Sequence, residues 1–253
     1  MTERALSLDV FGATHVGKVR ELNEDRFFAD PQTGVFAVAD GMGGHEGGEL
    51  ASGAIVDSLA TIGIATTAPD LRARVEARLI AANADISAMG EAAGGTIGST
   101  VVVLLLFGDR FACLWAGDSR LYRLSGDGLA RISRDHSRVQ ELLDGGLITL
   151  EEASTWPERN VITRAVGVSP SLDLSRVSDT AQAGDVFLLC SDGLTGHLAD
   201  DEIAAFLARS GADARSIAEG LIGAALERGG SDNVTVLVLR CLGAAGAAGG
   251  FHG

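Results

Sequence analysis

Six stretches of the chain gather β-branched and large apolar residues and break off at glycine and aspartate: GVFAVADG (34–41), STVVVLLLFGD (99–109), RFACLWAGDS (110–119), RLYRLSGDG (120–128), GDVFLLCSDG (184–193) and DNVTVLVLRC (232–241). Short apolar runs bounded by turn formers read as buried strands, and the brevity of the connections makes them antiparallel. A further strand is expected after GKVRELNEDRFF (17–28). Between these runs the spacing changes to three and four. One helix is predicted from Glu49 to about Ala65, and a second carries Leu71, Val75, Leu79, Ala82 and Ile86 on one face. A third follows Asp200 with Ile203, Phe206 and Leu207, and a fourth spans Ala214 to Glu227. Strands and helices come in blocks, so the expected class is α+β, sheet packed on sheet with helices outside, and not a doubly wound alternation.

From Ser133 to Gly167 the pattern turns mixed and polar, as expected of a small lobe inserted between two sheet regions. No repeat or linker divides the chain, so one domain over 1–241 is expected, followed by a Gly/Ala tail, LGAAGAAGGFHG (242–253), with little to pack.

Composition narrows the function classes. With 253 residues, 46% of them hydrophobic, the chain can bury a sizeable core. Acidic residues outnumber basic ones 34 to 20, and a net charge of −14 opposes a surface built on nucleic-acid phosphates. Phosphate chemistry stays open to an acidic protein if metal ions reverse the local charge. Cys113, Cys190 and Cys241 show neither disulfide nor zinc spacing and are expected to be reduced core residues. The N-terminal segment lacks a basic flank and a long apolar run, and Val101–Phe107 is too short to cross a bilayer, so a soluble, cytoplasmic protein without membrane partners is expected.

The candidate chemistry lies where strands give way to turns: Asp40 in VADGMGG, Asp118 in AGDSR, Asp192 in CSDG and Asp232 in GGSDN. Any one of them could be a turn former alone. Four brought to one sheet end would repel unless cations neutralised them. Oxygen ligands without a His/Cys cluster favour magnesium or manganese over zinc, and the glycine at 41 would let a backbone carbonyl approach as a further ligand. Arg20, Asn23, Glu24 and Asp25 precede a strand; a guanidinium beside such a cluster can hold two phosphate oxygens, although Arg20 could equally form a surface ion pair with Glu21 or Glu24.

In order, Arg20-x-x-Asn-Glu-Asp25, Asp40-Gly-Met-Gly-Gly44, Gly117-Asp-Ser-Arg120, Ser191-Asp-Gly-Leu194 and Ser231-Asp-Asn-Val-Thr235 resemble the type 2C (PPM) metal-dependent serine/threonine protein phosphatases. GSTVVVLLL, SRDHS and ITRAVG extend the likeness to bacterial members, from about Phe11 to Arg240. The resemblance implies a four-layer α-β-β-α sandwich, a flap at 133–167, and a two-metal site at one end, with manganese or magnesium as cofactor. It implies that Asp40 bridges both ions and Gly41 lends its carbonyl, that Asp192 and Asp232 hold one ion, and that Glu24 and Asp25 act mainly through metal-bound water. Asp118 matches the ligand of a weaker third ion, Arg20 the phosphate clamp, and Asn233 a neighbour of the ligands or a turn residue. The implied reaction is attack on phosphoserine or phosphothreonine by a hydroxide bridging the two ions, with phosphorylated proteins as partners, serine/threonine kinases opposed, and a monomeric enzyme.

The chain departs from many eukaryotic relatives at Met42, where they carry a histidine proposed as general acid. His45 is a tempting substitute, a metal-bound water another; His136 matches a position that is structural or orients the flap, and Trp156 tunes substrate contact or packs the flap. Ser119 and Ser191 are read as turn residues, because neither sits in a nucleophile elbow with a histidine-centred triad. Three other readings stay open: a phosphatase dedicated to one regulatory partner, a catalytically dead binding module of the same fold, and a hydrolase of small phosphomonoesters.

Overall fold

The apolar runs fold into two antiparallel sheets laid face to face, with helices on both outer surfaces. The structure, a computed structural model, describes residues 6–44, 47–158 and 161–243. Strands β1 (Ser7–His15), β2 (Asp25–Asp30) and β3 (Val35–Met42) come first, then helices α1 (Gly47–Leu59) and α2 (Ala68–Ala92). Strands β4 (Gly98–Ser99), β5 (Val101–Phe107), β6 (Arg110–Ala116), β7 (Arg120–Ser125) and β8 (Gly128–Arg131) lead into the inserted lobe with α3 (Arg138–Asp144) and α4 (Leu150–Ser154). The chain closes with β9 (Ser175–Thr180), β10 (Val186–Cys190), a single turn α5 (Asp192–Thr195), α6 (Asp200–Leu207), α7 (Ala214–Glu227) and β11 (Val234–Leu242).

One sheet has the order β1-β11-β10-β7-β8 and the other β2-β3-β5-β6-β9, with β4 paired to β3. Three apolar layers account for the four structural ones. Phe36, Val38, Leu104, Phe111, Phe187, Leu189 and Leu237 interlock between the sheets. On the same strands the alternate residues point outward: Val35, Ala37, Val101 and Val103 meet Ile55, Leu71, Val75 and Leu79 of α1 and α2. On the other sheet Leu188, Val236 and Val238 meet Ile203, Ile217 and Leu221 of α6 and α7. Strands buried on both faces cannot show an alternating pattern, which is why they read as continuous apolar runs. At the centre, Phe111 and Phe187 meet edge to face, 5.1 Å between ring centroids.

The helices end where local chemistry ends them. Thr67 caps α2 by accepting the Asp70 amide, with proline in the first turn, and Asp213 caps α7 through the Ser216 amide. The first helix is shorter than its pattern predicts, running 47–59 and not 49–65, because Thr61 and Ile62 turn back onto Ser58 and Leu59 and Ile62 is buried. Three strands that carry little apolar signal complete the sheets. β1 lies along β11 from Ser7↔Leu242 to His15↔Val234; β8 and β9 are edges, and β9 is almost wholly exposed. β11 runs through Leu242, the first residue of the expected tail; residues 244–253 lie outside the described residues.

The inserted lobe hangs on a narrow neck, where Ser137 bridges Ile162 and Ser99 bridges Val166. Cys113, Cys190 and Cys241 are buried and unpaired, and burial pushes the Cys190 and Cys241 thiols up to about 12. Among the described residues no helix is long and apolar enough to cross a membrane.

Replacing Phe187 with alanine removes the ring that joins the two sheets. The expected loss is about 3–5 kcal/mol of unfolding free energy, with a much smaller loss for Phe187→Leu, measured by urea denaturation.

Candidate functional site

All the aspartates singled out by the motifs arrive at one end of the sandwich. β3 ends on Asp40, Gly41 and Met42; the β6–β7 turn carries Asp118; α5 begins on Asp192 directly after β10; Asp232 and Asn233 immediately precede β11; and Asp25 opens β2. In the β2–β3 register Asp25 stands opposite Asp40, like charge against like. Asp118, Asp192 and Asp232 line a cleft of about 870 Å³, whose far wall is made by Val139, Leu143 and Leu150 of the inserted lobe.

Burial and mutual repulsion make this end costly without counter-charge. Burial, followed by the charges of Asp25, Asp192, Asp118 and Asp232, holds the Asp40 carboxyl well above its usual range. Burial lifts Asp25 and Asp118 to about 7, with Asp192 adding to both. Asp192 is raised by burial and then by Asp232; against this a hydrogen bond with Asp40 and the charges of Arg20 and Arg120 pull it down. Glu24 is raised by burial, offset in part by the Gly48 amide. The two guanidiniums cannot balance five or six carboxyls, and Arg120 is already held by both oxygens of Asp135 and by Tyr122. Among the described residues no three or more His, Cys, Asp or Glu side chains form a ready-made ion cage. Asp192 turns to Asp40, and Asp232 to Arg20.

That donor set, all oxygen and short of positive charge, fits hard divalent cations such as manganese or magnesium. The backbone at Gly41 fits as well. A Cβ there would lie 2.0 Å from the Gly48 carbonyl oxygen and 2.7 Å from that of Glu24, so only glycine lets β3 run this close to the start of α1.

Behind the carboxyls stands a layer of neutral hydrogen bonds. Ser191 Oγ donates to Asp25 Oδ2 at 2.7 Å and accepts the Thr235 amide at 3.0 Å. The buried Ser119 hydroxyl pairs with Thr100 at 2.7 Å, and Thr100 Oγ1 accepts the Asp40 amide. These serines orient aspartates and are more than turn residues; their only sequence signal is adjacency to Asp118 and Asp192. Thr100 and Ser99, whose hydroxyl donates to the Asp40 carbonyl, give no such signal. Asn233 ties down the β1–β2 loop at three points: its Oδ1 accepts the Glu24 amide, and its Nδ2 donates to the carbonyls of Val16 and Leu22. The Gly48 amide, in the first turn of α1, donates to Glu24 Oε1 at 3.1 Å.

Arg20 pairs with Asp232 at 2.8 Å, not with Glu21 or Glu24, because the loop bound by Asn233 lays it against the start of β11. His136 is built into the scaffold: Nδ1 accepts the Gly117 amide, Nε2 pairs with Ser175 Oγ at 2.9 Å, and the ring stacks on Trp115. Met42 reaches toward Gly98, which pairs with it in β4. Trp156 is half-buried just past α4, and His45 lies outside the described residues.

Residues 11–220 match the family model described as protein phosphatase 2C. The chain is 39% identical over 227 residues to the serine/threonine protein phosphatase PstP of Mycobacterium tuberculosis, covering 88% of this chain and 43% of that protein, so it spans less than half of that relative's length. Among solved structures, PppA, a regulatory component of T6SS in Pseudomonas aeruginosa, superposes with a TM-score of 0.86 at 41% identity, over 94% of this chain and 99% of that one. The catalytic domain of PstP in complex with two manganese ions superposes with a TM-score of 0.85 at 36% identity, over 94% and 100%.

The raised carboxyls set a pH dependence in the absence of metal. A carboxyl whose pKa is raised on folding favours the folded state at low pH, and the contribution is lost as pH climbs from about 4 through about 7. In chelator at pH 8, Asp25→Asn is expected to melt above the wild type by roughly 2–4 °C, the shift 1 kcal/mol produces in a domain of this size. At pH 4.5 the difference should shrink; thermal melts at the two pH values check it.

A fold of two antiparallel sheets between helices, a carboxylate end matched by every motif in order, and a family match across most of its length place this chain in the protein phosphatase 2C family.

Proposed function

We propose that the protein hydrolyses phosphoserine and phosphothreonine in proteins, with manganese or magnesium as cofactor, and so opposes serine/threonine kinases. The observation that carries this reading is the convergence of Asp40, Asp118, Asp192 and Asp232 on one end of the sandwich, where burial and neighbouring carboxylates hold the carboxyls of Asp40, Asp118 and Asp192 above their usual range. Its relatives support it: they are named serine/threonine phosphatases, and one similar catalytic domain is described with two manganese ions.

In this reading Asp40 and the Gly41 carbonyl would hold the pair of ions, Asp192 and Asp232 would hold one of them, Glu24 and Asp25 would act through water, and Asp118 would hold a weaker third ion. When bound, the cations would supply positive charge to a transferring phosphoryl group and lower the pKa of a nearby water. The chain's residues supply the rest. Ser191, Thr100 and Asn233 fix the carboxylates so that little reorganisation accompanies binding. The Arg20–Asp232 pair is exposed on both sides, with side-chain exposures of 54% and 37%, and is therefore weakly held. It can release the guanidinium to take two phosphoryl oxygens in its planar fork. His136, locked between Gly117 and Ser175 with its pKa lowered by burial, holds the neck of the inserted lobe and does not carry protons. The reading places the catalytic domain at 1–241, with the flap at 133–167, working as a monomer in the cytoplasm.

The test is release of phosphate from p-nitrophenyl phosphate and from a phosphothreonine peptide, with manganese, with magnesium and with chelator. Metal-dependent release from both, abolished by chelator, is the expected result; a folded protein that binds manganese yet turns over no phosphoester would instead be a binding module. Asp40→Ala and Asp192→Ala should each lower metal-dependent turnover roughly a hundredfold or more without loss of fold. Arg20→Ala should raise the KM roughly ten- to a hundredfold, as expected when a charged hydrogen-bond donor is removed, with a smaller fall in kcat.

A further inference from the structure

We propose that His197 is a positioning residue for the metal centre: its ring holds the turn that carries Asp232 and so fixes that carboxylate for a divalent cation. The inference rests on the reading of Asp232 as a metal ligand.

Asp232 sits on the irregular link between α7, which ends at Glu227, and β11, which begins at Val234. On one side the link is pressed against the N-terminal loop. The Lys18 amide donates to the Gly230 carbonyl at 2.7 Å, and Gly17, at φ +86°, passes so close that a Cβ would lie 2.2 Å from the Asp232 carbonyl oxygen. On the other side the contact is His197. The Ser231 amide donates to its Nε2 at 3.0 Å, and Ser231 Oγ lies 3.2 Å from the same nitrogen. His197 is itself anchored, because Arg228 Nη1 donates to its carbonyl at 3.0 Å while the same guanidinium grips Glu202 of α6. The main chain that carries the ring is thus tied to Arg228, at the start of the same link, and through it to α6.

Direction decides its role. A backbone amide can only donate, so Nε2 is the unprotonated nitrogen and the ring hydrogen sits on Nδ1. The nitrogen turned to the site is an acceptor engaged with the main chain, not a proton donor poised for a leaving group. His197 lines the same cleft as Asp192 and Asp232 and comes five residues after Asp192. One short segment therefore provides a carboxylate for the site and the support for the carboxylate opposite. With its Ser231 bond gone, the link would keep the ties of Arg228 and of the Gly17 side but lose the one next to Asp232, which would be free to stay with Arg20.

The experiment is calorimetric titration of manganese alone into the metal-free full chain and four variants, with circular dichroism to verify folding. His197→Ala and His197→Leu, which lack the acceptor, should weaken manganese binding roughly ten- to a hundredfold, the usual cost of removing a group that supports a ligand. His197→Gln, whose amide oxygen can accept the Ser231 amide, should bind close to wild type. Asp232→Ala should lose the ion that this carboxylate holds. Wild-type affinity in the folded acceptor-free variants, or equal weakening in His197→Gln, overturns the positioning role. Wild-type binding by Asp232→Ala overturns instead the ligand reading beneath it.

Discussion

Crowding of carboxylates at one end of a dry sandwich is the constraint around which this molecule is arranged. Asp25 and Asp40 face each other across two hydrogen-bonded strands, Asp192 leans on Asp40, and Asp118 and Asp232 line the same cleft as Asp192. Nothing in the apolar layers gains from this, and in isolation the arrangement disfavours folding. It persists because the rest of the fold is large. Three apolar layers over the two sheets and the longer helices supply cohesion far from the charged end, and hydroxyl and amide groups meet the carboxylates of Asp25 and Glu24 and the main chain at Asp40.

The two sheets divide the labour. The sheet containing β3 and β6 brings Asp40 and the Asp118 turn; the sheet containing β10 and β11 brings Asp192 and Asp232. The site therefore exists only when the sheets are packed in register, which makes the Phe111–Phe187 contact and its neighbours a part of the chemistry at a distance. Asn233 and the Ser191–Asp25 bond cross the same seam and join β2 to β10 and β11.

Much of this is legible in the amino-acid sequence. Doubly buried strands such as Val101–Phe107 and Val186–Cys190 announce themselves as unbroken apolar runs, and helices such as Ala214–Glu227 by their spacing. Aspartates at strand ends, in five motifs in order, point to the carboxylate end. Features without a local signature stay hidden. β1 and β9 are strands only because β11 and β6 offer them an edge. Ser119 and Ser191 read as turn residues because a hydroxyl's partner can lie far along the chain: Ser191 reaches Asp25 across 166 positions. Arg20 pairs with Asp232, 212 residues away, in preference to its neighbours Glu21 and Glu24, and no spacing rule reports such a pair.

The neck of the inserted lobe has a consequence for how such a protein can diversify. The chain leaves at Ser137 and returns at Ile162 across a single bridge, reinforced by Arg138 donating to Val161 and Thr163 to His136. A segment that departs and re-enters at one point can be lengthened, shortened or exchanged at the modest entropic cost of a longer or shorter loop. Neither sheet has to shift and no carboxylate moves. Natural variation can therefore rewrite the lobe's wall of the cleft while inheriting the carboxylate end intact, and an engineer can graft a foreign lobe at the same two residues.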